Sequence, residues 1–490
     1  MQDTKKGEVV MGKISESRKI KFPEAIGLLV AFVAILMWGA LSAGIPTGIS
    51  ICLCSFTAAL YGIIVLHKSW NEIQTGILKV IGIGMPATLI LLMVGLISGS
   101  WLSSGTTPIL IYWGLKILNP SIYLAVTFLI TAIGGMATGS AWAIMATFGV
   151  ALMGVANGLG IPAPAAAAAI CCGSYLGDKW SPLSDVTNLA SAVTEENSFR
   201  LFGCMIPTSG VSAGIALVIY AVMGFVMGTH GTFDASQTKE IISTLEDTYT
   251  FNPILILPLI VVVVLAVMKK PIFPVLVIGA GIGTVFSILI QGTSVTDALS
   301  ALYNGYTVTT GNEAIDGLLS GGGLSYMMSL ILMLFCAFVF AGIMESMGLL
   351  DAILEKLIKV AKSRGNLILI SMITTVLGVY MTSSVYVSTI MNGRMYLPAY
   401  EKEGIDKIAL ARTLTECASN FGAIVPWSNG AIIMLSTFGV AWYQYAPYMF
   451  NHWLAMILVL ICGYTGKFLP LSKKQDIESQ DIYNTDTGGK

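Results

Sequence analysis

The sequence predicts an all-α polytopic membrane protein made of two inverted-topology repeats, each with five spans (one of them broken) and a re-entrant hairpin. Three observations lead there. Of 490 residues, 55% are apolar and only 11% charged, less than half the roughly 25% charge of a soluble globular protein. Long apolar stretches follow one another along most of the chain, and mean hydropathy is +0.80. Shifting the sequence against itself by 244 positions, without gaps, superposes two kinds of helix interruption.

Composition narrows the function. So little charge cannot cover the surface of a water-soluble protein, which excludes a cytosolic enzyme, a disordered chain and a secreted disulfide scaffold. A net charge of −1 offers no basic field to nucleic acid. Eight cysteines (Cys52, Cys54, Cys171, Cys172, Cys204, Cys336, Cys417 and Cys462) lie in apolar surroundings without paired CxxC motifs. They read as packing residues, not a zinc site. His67, His230 and His452 stand apart from one another and read as interfacial side chains. Residues 1–21 are polar and basic, and the apolar stretch after them is too long for a signal peptide.

Apolar stretches occur at about 25–45, 46–66, 84–103, 121–157, 163–200, 203–228, 251–268, 272–290, 325–347, 366–400, 405–446 and 447–466. Most match one bilayer thickness at 1.5 Å per residue. Four are too long for one helix, and each breaks near its middle: Ala137-Thr138-Gly139-Ser140, Gly177-Asp178-Lys179-Trp180-Ser181-Pro182, Met381-Thr382-Ser383-Ser384, and Ile424 through Gly430. Broken backbone at membrane depth is tolerated only where protein or a water-filled cavity covers it. The 244-residue shift places Thr138 on Thr382, Ser140 on Ser384, Gly160 on Gly404, Pro182 on Pro426 and Ser184 on Ser428. The expected organisation is a cytoplasmic tail 1–21, repeat 1 at 22–228, an external connection 229–250, repeat 2 at 251–466 and a cytoplasmic polar tail 467–490.

Lysines and arginines orient the repeats. The N-terminal tail, Lys269-Lys270, Lys356 through Arg364, and Lys467 with Lys473-Lys474 read as cytoplasmic. The 229–250 and 291–324 connections, poor in or free of Lys and Arg, read as external. Taking 121–157 and 366–400 as re-entrant hairpins satisfies all of these assignments. Each half then crosses five times, and an odd number forces opposite orientation, the architecture of a secondary transporter.

Candidate functional residues cluster at the breaks. Asp178 and Asp185 are carboxylates at membrane depth, where they need partners or water. Ser184, Thr187 and Asn188 add hard oxygens beside a proline break, suiting Na⁺ at Asp185, Ser184 and Asn188. The plainer alternative is a helix start capped by Ser184 or Asp185, with Asp178–Lys179 an interfacial ion pair. Ser428 and Asn429 form the equivalent break in the second half. Thr138, Ser140, Thr382, Ser383 and Ser384 at the hairpin tips are candidate substrate ligands, or else close-packing residues. Glu416 is a candidate proton-coupling carboxylate, or a structural partner of Arg412 one turn earlier. Arg394 reads as snorkelling to the cytoplasmic face in preference to binding a substrate carboxylate bidentately, and Glu345 as solvated at a helix end.

Thr138-Gly139-Ser140-Ala141-Trp142, the stretch from Gly173 to Ala190, Asn392-Gly393-Arg394-Met395-Tyr396, Ala399-Tyr400-Glu401-Lys402, and Arg412-Thr413-Leu414 leading to Pro426-Trp427 resemble the NhaC-type Na⁺/H⁺ antiporter family. The resemblance spans nearly the whole chain and is most specific at Gly177–Leu189. It implies an ion-transporter fold of inverted repeats with hairpins, in a family of Na⁺/H⁺ antiporters, a malate/lactate exchanger and proposed amino-acid transporters. The chain departs from the family's antiporters at Ser384 and Val385, where they carry Asp and Gln. It departs again at Thr415-Glu416 in place of a Glu-Asp pair, and at Ala141 in place of a serine.

The expected function is Na⁺/H⁺ antiport across the cytoplasmic membrane by alternating access, with both termini cytoplasmic. The alternative is Na⁺- or H⁺-coupled transport of a small organic acid or amino acid on the same fold. No Walker motif is present, and no catalytic dyad suggests an enzyme. Expected partners are the lipid bilayer, Na⁺ and H⁺ as coupling ions with no other cofactor, a small carboxylate or amino acid under the alternative, no nucleic acid, and a second copy of the chain.

Overall fold

The structure, a computed structural model, describes residues 18–472 apart from 42–44, 46, 183, 231–234, 269, 311–312 and 359–362. Most of the two expected tails, 1–21 and 467–490, therefore lies outside the described residues. Within them the chain is helical, with no strand and two isolated β-bridges, Tyr306–Gly321 and Ile405–Leu471.

The first half runs α1 (Phe22–Leu41), α2 (Thr47–Ile64), α3 (Trp70–Ser103), α4 (Thr106–Ile117), α5 (Pro120–Thr138) and α6 (Ala141–Ile144). A π turn joins α6 to α7 (Val150–Gly158); then come α8 (Ala163–Lys179), α9 (Asp185–Val193), α10 (Ser198–Met205) and, after a second π turn, α11 (Val211–His230). The second half runs α12 (Ala235–Thr248), α13 (Leu257–Val267), α14 (Ile272–Leu289), α15 (Val295–Asn304), α16 (Glu313–Leu319), α17 (Leu324–Ser346) and α18 (Leu349–Ile358). It continues as α19 (Arg364–Thr382), α20 (Val385–Lys402), α21 (Lys407–Gly422), α22 (Asn429–Phe438), α23 (Trp442–Tyr445) and α24 (Phe450–Thr465).

Among the described residues seven helices are long and apolar enough to cross a membrane, or up to nine if each bent pair is one span. The broken helices are not among them: α8 has 17 residues and α21 has 16, about 25 Å of rise each. Pro162 and Pro164 set the start of α8 and Asn119-Pro120 that of α5, where a missing N–H costs no helical hydrogen bond.

Local structure recurs at the 244-residue spacing. Shifted by 244, Pro120–Thr138 becomes residues 364–382, the span of α19, while Ala163 meets Lys407 and Asp185 meets Asn429, all helix starts. The turns coincide too, in left-handed residues Gly139 (φ 67°) and Ser383 (φ 56°), and Gly160 (φ 67°) and Gly404 (φ 66°). Serine is strained in that region where glycine is not.

Two groups of helices make their densest contacts among themselves, while buried residues of α3 and α17 share one core with those of α5 and α8. One is built on α2, α3, α14 and α17; the other on α5, α8, α11, α19, α20, α21 and α24. They meet where α17 touches α19, and through helices between them: α22 touches both α17 and α8, and α4, beside α3, touches α7, beside α8. A cavity of about 250 Å³ opens along this seam, lined by Ser98, Asn157, Ser320, Tyr326, Thr437 and Gly439 among others, with no charged residue. The outer surface is apolar, as at Val218, Val222 and Phe225 of α11 and Leu332 of α17.

The closest crossing is α5 on α8, made by glycines one turn apart. A Cβ at Gly177 would stand 2.0 Å from the Ala132 carbonyl oxygen and 2.6 Å from the Met136 nitrogen. At Gly173 it would stand 2.1 Å from Thr131 Oγ1. Small residues let backbones meet this closely in membranes, and the crossing carries the end of α8 to the hairpin tip. Gly177→Ala should therefore lower the detergent-solubilised protein's stability by about 1–3 kcal/mol. Gly203→Ala, where an added Cβ meets nothing within 4 Å, should leave the melting temperature nearly unchanged. Equal shifts from thermal melts would contradict the crossing.

Candidate functional site

Each of the four helix restarts begins on a capping serine. Ser140 Oγ accepts from Ala143 N–H (3.3 Å), Ser184 from Thr187 N–H (3.3 Å), Ser384 from Val387 N–H (3.3 Å) and Ser428 from Ala431 N–H (3.2 Å). Each satisfies a donor that a helix start leaves open. Thr138 and Thr382 close the tips from the other side, their hydroxyls donating to Gly134 O (2.9 Å) and Gly378 O (2.7 Å). Of the five tip candidates, four thus hold the turn. Ser383 differs: its buried Oγ has no hydrogen-bond partner.

Asp178 lies in the last turn of α8. Its carboxylate faces the Ser184 side chain and the Ala141 backbone N–H at the start of α6, with Asp185 and Lys179 as charged neighbours. Its Oδ1 is buried without a partner. Asp185 is the exposed first residue of α9, and Tyr386 at the second tip lies within electrostatic reach of both aspartates. Tyr175, one turn before Asp178, carries the cluster toward the other break, since a Cβ on Gly430 would meet its hydroxyl at 2.4 Å. There Asn429 Oδ1 is buried and unpartnered, while Ser428 Oγ bonds Gly422 O at 2.7 Å.

Two candidates have their polar atoms committed to the break. Thr187 Oγ1 donates to Lys179 O (3.0 Å). Asn188 is exposed, donates to Pro182 O (3.1 Å) and accepts from Ser198 Oγ (2.7 Å). Among the described residues no group of three or more His, Cys, Asp or Glu could hold a metal. The oxygens at the breaks are hydroxyl, carboxylate, amide and main-chain carbonyl, the hard donors that suit alkali and alkaline-earth cations.

Glu416 is held in an ion pair, though not with Arg412. Lys179 Nζ donates to Glu416 Oε2 (2.8 Å) and Asn420 Oδ1 (2.9 Å), and Thr208 Oγ1 donates to Glu416 Oε1 (3.0 Å). Lys179 is 1% and Glu416 0% exposed. Lys179 therefore reaches across to a helix of the other half of the chain. Arg412, fully buried, donates instead to the main-chain carbonyls of Phe468 (3.0 Å) and Cys204 (3.4 Å).

Other readings change as well. His452 is fully buried, not interfacial, with Nδ1 3.3 Å from Cys172 Sγ. Glu345 pairs with Lys79 between α3 and α17 and is largely shielded from solvent. Arg394 is exposed. Sequence reasoning missed Asn420, Thr208 and Tyr386. The spacing Arg412, Glu416, Asn420 does mark one polar helix face; nothing local points it at Lys179.

Residues 173–467 match the model of the Na⁺/H⁺ antiporter family. The chain is 33% identical to the malate-2H(+)/Na(+)-lactate antiporter of Bacillus subtilis, covering 94% of this chain and 98% of that one. It is 32% identical to the arginine/ornithine antiporter ArcD of Halobacterium salinarum (81% and 82%) and 30% identical to the Na(+)/H(+) antiporter NhaC of Alkalihalophilus pseudofirmus (92% and 97%). With its helical fold and membrane-spanning helices, the chain belongs to the Na⁺/H⁺ antiporter family as a multi-pass secondary antiporter.

Proposed function

We propose that the protein exchanges Na⁺ for H⁺ across the cytoplasmic membrane by alternating access. The observation that carries this is Asp178: a membrane-depth carboxylate whose Oδ1 has no partner, set against two helix N-termini that favour the anion. Na⁺ completes it, with Asp185 and Ser184 as further oxygens, Asn429 approaching from the second break and Glu416 as a second titrating group. The family match covers this break, and a relative at 30% identity is named a Na(+)/H(+) antiporter.

The two packed groups of helices supply the moving parts, the α8–α21 group carrying the site against the α3–α17 group. The halves are inverted and both termini cytoplasmic. That orientation sets the Arg200–Asp406 and Lys407–Glu195 pairs on the cytoplasmic side and the uncharged cavity beside the 320–322 loop toward the outside. No cofactor beyond the coupling ions is needed. The chain pairs with a second copy.

A second reading is favoured by the malate/lactate relative and by Ser383, whose unpartnered hydroxyl stands at a capped helix start. Here a small carboxylate or amino acid sits between the tips, its anion held by N-terminal amides.

In proteoliposomes with an internal pH dye, Na⁺ added outside should drive proton efflux with no organic solute present. Asp178→Asn and Asp185→Asn should each bring that signal to background; a full-size signal from Asp178→Asn would remove it from the site. If instead Na⁺ moves protons only when lactate, malate or an amino acid is supplied, the second reading replaces the first. Ser383→Ala should then weaken labelled-substrate uptake by about tenfold, the scale of one hydrogen bond to a charged group.

A further inference from the structure

Lys179 supplies no ligand to a plain Na⁺ site, yet its buried pair with Glu416 lies one residue from the candidate carboxylate. Two charges without water are costly, and replacing such a pair with apolar residues is often neutral or stabilising. Stability alone is therefore a weak reason for its presence. The geometry around it is specific. Asn420 Nδ2 donates to His452 O (3.2 Å), which turns its Oδ1 toward the lysine, and Thr208 fixes the second carboxylate oxygen. The lysine belongs to repeat 1 and the glutamate to repeat 2. Lys179 is also the last residue of α8, directly before the break, where its backbone carbonyl is held by the Thr187 hydroxyl and not by a continuing helix.

Resting on the Na⁺/H⁺ reading, we propose that Lys179 is an internal cation that competes with Na⁺ for Asp178, and that Glu416 holds it off while ionised. One ammonium has two carboxylates to choose from. Glu416 has it, and Asp178 next door has an oxygen without a partner. When Glu416 takes a proton, its claim on Lys179 falls to that of a neutral acceptor; the ammonium turns to Asp178 and Na⁺ leaves. When Na⁺ returns, Lys179 goes back to Glu416 and the proton is expelled. One H⁺ replaces one Na⁺, so the summed charge of Asp178, Lys179, Glu416 and the bound ion is the same in both states.

Other ionisable groups face the pair. Asp178 and Cys172 come from α8, Cys417 from α21 and His452 from α24, while Asp185 of α9 faces Asp178 and not the pair. Arg412 stands one turn from Glu416 with Nη1 committed to main-chain carbonyls, and Tyr400 of α20 lies beside Arg412. Of these, Glu416 is the carboxylate in direct contact with Lys179.

Radiolabelled Na⁺ binding to the purified full chain tests this from neutral to alkaline pH. Lys179→Gln should bind Na⁺ about tenfold more tightly and lose most of the pH dependence; Glu416→Gln should bind about tenfold more weakly at every pH, within the range of ordinary coupling between sites. The double variant Lys179→Gln/Glu416→Gln removes both buried charges together, which protects folding, and should match Lys179→Gln, because without the lysine Glu416 has nothing to restrain. Wild-type affinity in the double variant would mean two additive long-range fields and would overturn the proposal. So would parallel weakening in both single variants, the mark of a structural tie. Failure of the wild type to bind Na⁺ at all would instead remove the Na⁺/H⁺ reading on which the proposal stands.

Discussion

A helix that stops inside a membrane leaves N–H and C=O groups with no water to bond, each costing several kcal/mol if left bare. This chain stops and restarts helices at Ser140, Ser184, Ser384 and Ser428, and at each point the serine hydroxyl takes the N–H three residues ahead. Thr138 and Thr382 return their own hydroxyls to carbonyls of the preceding turn. With the backbone satisfied in this way, the breaks can sit in the protein interior and offer what remains, amides and unpartnered oxygens, to an ion. The same small polar residues that look like ligands in the sequence are thus first of all what makes the breaks tolerable.

The two halves share a backbone plan and differ in charge. The 244-residue partners of Asp178, Lys179 and Asp185 are Gly422, Ala423 and Asn429; that of Glu416 is Cys172. The acid–base groups of the centre are therefore contributed unequally, three by the first half of the chain and one by the second. The lysine of the first half meets the glutamate of the second, and the two halves of the chain are tied by a single buried ion pair among the described residues. A site built twice over would hold like charges close together without water. Distributing the charges unsymmetrically gives each a partner.

Close packing delivers the residues to one place. Gly173 and Gly177 bring α8 against α5 with backbone in contact, so that Asp178, the next residue, lands beside the Ala141 amide at the hairpin tip. On α21 the face of Arg412, Glu416 and Asn420 meets Cys204 and Thr208 around the second π turn and His452 at the start of α24. A π turn admits one extra residue per turn and so rotates the side chains of that turn relative to a regular helix. Here Thr208, inside such a turn, reaches Glu416.

Much of this was legible in the chain because it depends on neighbours in sequence. Apolar length set the membrane class, proline and serine marked the breaks, the 244-residue shift revealed the recurrence that the helix bounds then obey, and local motifs carried the family resemblance. The partner of Glu416 was not legible. Arg412 stands at the favourable one-turn spacing, yet main-chain carbonyls take its guanidinium, and the acid meets a lysine 237 residues away. His452 reads as interfacial by composition and lies at the centre. Periodicity and spacing report which face of a helix is polar, since side-chain direction repeats along the helix. Which two polar faces meet is settled by how helices from different halves pack, and that information is spread over contacts no local window contains.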